Sequence, residues 1–236
     1  MAQNSKIEWT ESTWNPITGC EKISEGCENC YAMRLAGRLK NMGNAKYKNG
    51  FNLTMHENCL NEPYSWKKPR RIFVNSMSDL FHKDVPFGYI QKIFTVMNEN
   101  PQHIFQILTK RAERLSEISP LVEWSKNIWA GVTVENADYI ERISHLKTTA
   151  ARIKFISFEP LLGDVGKLDL TGIDWAIIGG ESGPKARPML QDWVISIKNQ
   201  CEEQKILFYF KQWGGTNKKK AGRVLLGKTW DSVPEE

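Results

Sequence analysis

The chain has 236 residues, of which 41% are hydrophobic and 25% charged, enough apolar material to build a core in one large domain or two small ones. A net charge of +5 and a pI near 8.9 form a mild basic excess that permits a phosphate-bearing partner without demanding one. No apolar run reaches membrane-span length and Met1 to Lys6 lack a signal peptide's apolar stretch, so a cytoplasmic protein without membrane association is expected.

Taken in chain order, the first element is a short strand expected near Ile7-Glu8-Trp9. Next come Cys20, Cys27 and Cys30, within eleven residues. Five cysteines, three of them clustered, argue against a disulfide framework. Three thiolates can hold three irons of a four-iron, four-sulfur (4Fe-4S) cluster and leave the fourth iron open to a ligand. Structural zinc is the rival, with Cys59 or His56 as fourth ligand; on spacing alone the two are equal. A redox pair Cys27-Glu28-Asn29-Cys30 is weakened by the third cysteine seven residues upstream and by a helix that starts only at Tyr31. Three unrelated thiols is the remaining reading.

Residues 40–69 read as a loop-rich insertion. Six apolar runs follow, at 71–75, 103–108, 128–133, 152–157, 175–179 and 205–210, each rich in β-branched or aromatic residues. They are nearly continuous in apolar character, as parallel strands covered on both faces should be. Between them, 89–97 places Ile90, Ile93, Phe94 and Met97 on one helical face, and 137–146 does the same with Tyr139, Ile140, Ile143 and Leu146. Asp192 stands where it would cap a helix running to Cys201. Strand spacing of this kind predicts an α/β fold of repeated βα units. The expected architecture is a parallel (β/α) barrel, complete or partial, of six to seven strands in a single domain over 1–236, with an open doubly wound sheet as the alternative. The extension 214–236 is either a flap or an ordered closing segment. Most of the nine tryptophans are assigned to core or pocket lining.

Each of the six runs ends in polar residues, where a parallel barrel carries its ligands. Ser76, Asp79 and His82 follow the first, and Lys110 and Arg111 the second. Thr133 and Glu135 end the third, Glu159 the fourth, Glu181 the fifth, and Lys211 and Gln212 the sixth. A single one of these has a bland explanation in turn formation or a structural ion pair. Three acids beside Lys110, Arg111 and Lys211 suit a zwitterionic ligand. The turn Gly179-Gly180-Glu181-Ser182-Gly183 permits close backbone approach but lacks the dinucleotide-binding spacing.

Asn15-Pro16 before Gly19-Cys20, then Gly26-Cys27-Glu28-Asn29-Cys30-Tyr31-Ala32, resembles the cluster loop of radical S-adenosylmethionine (SAM) enzymes, most nearly the spore photoproduct lyase subgroup. The chain departs from that pattern in the six residues, Glu21 to Gly26, between its first two cysteines. Ser76 to His82, Ile107 to Lys110, Val132-Thr133-Val134 and Phe158 to Gly163 resemble the same subgroup's strand-end motifs. Taken whole, with Gly179 to Gly183 and Phe210 to Gly214, the chain is similar to a phage- and prophage-associated radical-SAM-like family of unsettled function. The resemblance implies a radical-SAM-like barrel with a 4Fe-4S cluster on Cys20, Cys27 and Cys30 and SAM on the open iron. It implies Tyr31 near the adenine, with Ser76, Lys110, Thr133, Glu135, Glu159 and Glu181 as cofactor contacts. Arg187, Lys211 and Gln212 would face the substrate. It also implies an electron donor such as a flavodoxin or ferredoxin, and admits a nucleic-acid substrate. A non-catalytic, zinc-binding, phage-associated interaction protein is the alternative.

Overall fold

The computed structural model describes Ser5 and residues 7–235, apart from the side chains of Lys218 and Lys219; the rest of the Met1 to Lys6 stretch lies outside the described residues. Seven strands make one sheet: β1 (Ser12–Trp14), β2 (Arg71–Val74), β3 (Ile104–Thr109), β4 (Ile128–Thr133), β5 (Lys154–Phe158), β6 (Trp175–Gly179) and β7 (Leu207–Gln212). Their order in space is their order in the chain, and every neighbouring pair is parallel. A doubly wound sheet reverses its strand order at a switch point; this sheet never does. It is a curled partial barrel in which β1 and β7 form the two edges. Helices α1 (Tyr31–Asn41), α2 (Phe87–Asn98), α3 (Ala112–Ile118), α4 (Glu141–Lys147) and α5 (Gln191–Glu203) fill the crossovers, except that a loop alone joins β5 to β6.

Period-two alternation divides the strand residues between two cores. Ile72, Val74, Phe105, Ile107, Ala130, Val132, Ile156, Phe158, Ile178 and Phe210 join the helices in the larger one. Phe73, Ile104, Trp129, Phe155, Trp175, Ile177 and Tyr209 form the smaller one on the opposite, inner face. Both faces are therefore apolar and covered, which explains the nearly unbroken hydrophobic runs. All nine tryptophans belong to these cores or pack against them.

Three local expectations need correction. Ile7 to Trp9 is a turn, with Thr10 N–H donating to the Ile7 carbonyl, and the strand begins at Ser12. Trp9 is instead a plug for the inner core, 4.9 Å from the Phe73 ring and 6.2 Å from that of Trp175. The helix expected over 137–146 is split: the Asn136 side chain caps a 3₁₀ turn over Ala137–Tyr139, and α4 starts at Glu141. Asp192 lies inside the first turn of α5, where its charge suits the helix N-terminus, but it makes no cap bond.

The insertion 40–69 is loop-rich as expected. It carries 3₁₀ turns and a two-residue strand, Thr54–Met55, paired antiparallel with Ile17–Thr18. The C-terminal extension is an ordered closing segment. Asp231 bridges to Tyr209 of β7, the Ser232 carbonyl accepts from Trp175 Nε1 at 2.8 Å, and Val233 packs on the inner core. Among the described residues no helix is long and apolar enough to cross a membrane.

Gly131 leaves room for the fully buried Phe155 ring, which a Cβ at that position would meet at 2.4 Å. Gly131→Ala is expected to cost about 1–3 kcal/mol of stability by urea unfolding. Phe155→Leu in the same chain should recover part of that loss, and no recovery would show that this contact is not the cause.

Candidate functional site

A cavity of about 550 Å³ opens at the carboxyl ends of the strands. Its floor includes Trp9, Phe73 and Leu108 from the inner face. Cys20, Cys27 and Cys30 all line it, and so does Tyr31 at the start of α1. The opposite wall brings in Ser76 after β2, Lys110 after β3, Thr133 of β4, Glu159 after β5 and Glu181 after β6. Six of the seven cofactor residues expected from the sequence thus meet the three cysteines in one space.

The cysteine loop is held by specific contacts. Asn15 Oδ1 accepts from Ser76 Oγ at 3.2 Å and from Met77 N–H at 2.9 Å. The Pro16 carbonyl accepts from Tyr89 Oη and from the His56 N–H. The six residues between Cys20 and Cys27 are folded onto the strand ends. Glu21 pairs with Lys83 at 3.1 Å and Arg111 at 3.4 Å, and Ser24 Oγ donates to Glu135 Oε1 at 2.7 Å. Gly26 lies so close that a Cβ there would be 2.5 Å from Glu135 Oε1. The longer interval therefore still returns Cys27 to the cavity that Cys20 lines.

Glu135 is the seventh expected residue and stands behind this wall rather than on it. It is 0% exposed and pairs with Lys110 at 2.7 Å and Arg142 at 2.8 Å. Burial alone would push its carboxyl up, but Lys110, Arg142 and the Ser24 hydroxyl outweigh burial and hold it below the ordinary value. Glu159 accepts from Lys211 Nζ at 2.6 and 2.8 Å. Glu181 accepts from Arg187 Nη2 at 2.6 Å and from Asn29 Nδ2 at 3.0 Å, which ties the end of β6 to the cysteine loop. Each of the three acids already carries a cation. Lys211 and Gln212 line the cavity, whereas Arg187 is spent on Glu181, Glu28 and the Glu25 carbonyl. Tyr31 is 49% exposed and its hydroxyl donates to the Ser76 carbonyl.

Two residues matter more than their sequence context signalled. Asp79 is a buried carboxylate that accepts from Thr109 Oγ1 at 2.7 Å, Phe81 N–H at 2.9 Å and Lys110 N–H at 3.2 Å. Burial first, and then the Asp79 charge, push the Cys20 thiol up to about 11. Asn75 sits at φ 58, and its buried Nδ2 has no partner. Across the cavity the buried Oε1 of Gln212 also lacks one. Both residues line the space, so a bound ligand would relieve two unmet polar groups. The glycines after β6 serve the chain instead. A Cβ on Gly180 would lie 2.1 Å from the Trp213 carbonyl oxygen, so this close approach is between two backbones and is no phosphate cradle.

All five cysteines are free thiols. Among the described residues no three of His, Cys, Asp and Glu are gathered tightly enough for a single metal ion. Cys59 accepts from Lys46 Nζ at 3.3 Å, and His56 contacts the Thr18 hydroxyl at 2.8 Å; neither lines the cavity. Both proposed fourth zinc ligands are thus committed elsewhere. Cys20, Cys27 and Cys30 line one cavity and are soft donors of the kind that a 4Fe-4S cluster takes.

The family model described as "Protein of unknown function (DUF5131)" matches residues 4–234. The chain belongs to this family. No curated protein and no solved structure matches it.

The Glu135 network has a pH signature. Its folded-state value lies below the unfolded one, so its stabilisation is whole above the ordinary 4.5 and is lost as pH falls through the lowered value. Glu135→Gln leaves two cations without their partner and is expected to cost about 3 kcal/mol at neutral pH. In urea unfolding the gap between variant and parent should narrow as pH drops below about 4.5. A gap unchanged down to acid pH would count against the ion-pair account.

Proposed function

We propose that this DUF5131 chain is an iron–sulfur-dependent radical SAM enzyme that reductively cleaves SAM to act on a further substrate, with nucleic acid among the candidate classes. One observation carries the reading: Cys20, Cys27 and Cys30 share a single cavity with Tyr31, Ser76, Lys110, Thr133, Glu159 and Glu181. The three thiols are the donor set for a cluster with one open iron. Such a cluster, with SAM bound, supplies the electron that breaks a carbon–sulfur bond and so a radical able to take hydrogen from a substrate.

The chain's own residues bind, orient and exclude water. The half-exposed ring of Tyr31 offers a face to an adenine beside Cys30. The Glu159–Lys211 pair matches an amine and a carboxylate group for group, so a zwitterionic ligand can exchange with it. Asn75 Nδ2 and Gln212 Oε1 supply an unused donor and acceptor. Ser76 and Thr133 add polar groups to the wall, and Glu135 and Lys110 hold the loop in place behind it. The Trp9, Phe73 and Leu108 floor keeps the base of the cavity apolar. A one-electron donor of the flavodoxin or ferredoxin type belongs to this reading.

Anaerobic purification and reconstitution should yield a brown protein with about four irons and four sulfides per chain. Cys27→Ala should lose most of that iron, and dithionite with SAM should release 5′-deoxyadenosine from the parent. A colourless protein that holds about one zinc and no iron after reconstitution would sink the proposal and favour a zinc-binding interaction protein.

A further inference from the structure

We propose that a second cavity, beside the first, binds the phosphate group of a phosphorylated ligand. This cavity measures about 430 Å³ and lies between the β3–α3 turn and the 3₁₀ turn that precedes α4. Lys110 and Ile23 line both cavities, so the two are neighbours across those side chains.

The charges are sorted by depth. Lys110, Arg111, Arg114 and Arg142 line the cavity and are partly buried. The acids that line it, Glu113, Asp138 and Glu141, are exposed at its rim, where water screens them. Lys110 and Arg142 share one buried carboxylate, Glu135. Arg111 and Arg114 are not matched in this way. Arg114 donates to the carbonyls of Phe81, His82 and Val85, which carry no charge. Arg111 reaches Glu21 at 3.4 Å, but that half-exposed carboxylate also serves Lys83 at 3.1 Å. The buried Nε of Arg111 has no partner at all.

Burial, and then repulsion from Arg111, lower the pKa of Arg114 against the pull of Glu117, Asp79 and Asp84. Two guanidiniums that repel each other at a partly buried wall are stabilised by an anion with enough oxygens to accept a pair of N–H bonds from each. Phosphate is that anion. Tyr139 adds an aromatic face at the same cavity, with the Arg142 guanidinium 4.3 Å from its ring. Phosphate binding here needs no cluster. It does not rest on the radical SAM reading, so the two ideas fail separately.

The test is isothermal titration of the full chain with inorganic phosphate, adenosine 5′-monophosphate and a short single-stranded DNA, at fixed ionic strength set with chloride. Saturable phosphate binding is expected, weakened by about tenfold in Arg111→Gln. Because Arg111 also touches the cysteine loop, Lys83→Gln provides a second variant, at an exposed residue that also lines this cavity, and should weaken binding by about threefold. Monophosphate binding without DNA binding would mark a small phosphorylated ligand, and DNA binding that both variants weaken would mark a phosphodiester. Absence of saturable phosphate binding, or affinity equal to the parent's in both variants, would overturn the proposal.

Discussion

A carboxylate with no access to water organises the upper half of this protein. Glu135 is fully buried, and a buried charge is tolerated only when it is paired and hydrogen-bonded. Its partners come from three places: Lys110 after β3, Arg142 on α4 and Ser24 in the cysteine loop. Meeting that requirement pulls two strand ends, a helix and the loop onto one point. Gly26 allows the loop to lie flat against the carboxylate. The placement of Cys27 in the cavity thus depends on a residue just after β4, far from the cysteines in the chain.

A parallel sheet of seven strands that does not close has two edges to manage. Here the lower gap is filled with side chains from both ends of the described chain. Ile7 and Trp9 enter the inner core from one side and Val233 from the other. The segment through Asp231 and Ser232 also covers the outer edge of β7 and satisfies Trp175 Nε1. The floor is thereby apolar and sealed while the carboxyl end stays open. That contrast leaves the ligand-sized space at the end where polar residues gather, next to the basic annex that shares Lys110 and Ile23.

Much of this was legible beforehand. The six apolar runs became β2 to β7 because each is long enough and apolar enough to be buried on both faces. Their polar ends meet around one cavity, Glu135 excepted, because the strands of a parallel barrel all end at the same face. Ile7 to Trp9 misled because a short apolar run has the same composition whether it pairs as a strand or plugs a core. The segment 137–146 misled because helical periodicity does not register a side-chain cap that breaks the first turn. Asp79 and Asn75 were visible only as polar turn residues; their burial and their bonds depend on β3 and on the loop after β1.

By itself the sequence determined the repeated βα pattern, the strand set, three thiols close together in the chain and the polar residues that end the strands. These are local properties, set by composition, periodicity and spacing along the chain. Tertiary structure alone decided how the charges were shared out. It buried Glu135 behind the wall, gave Glu159 to Lys211 and Glu181 to Arg187, and left Arg111 to share Glu21 with Lys83 while its Nε has no partner. Pairing energies depend on distance and on exclusion of water, and both are known only when distant parts of the chain have met.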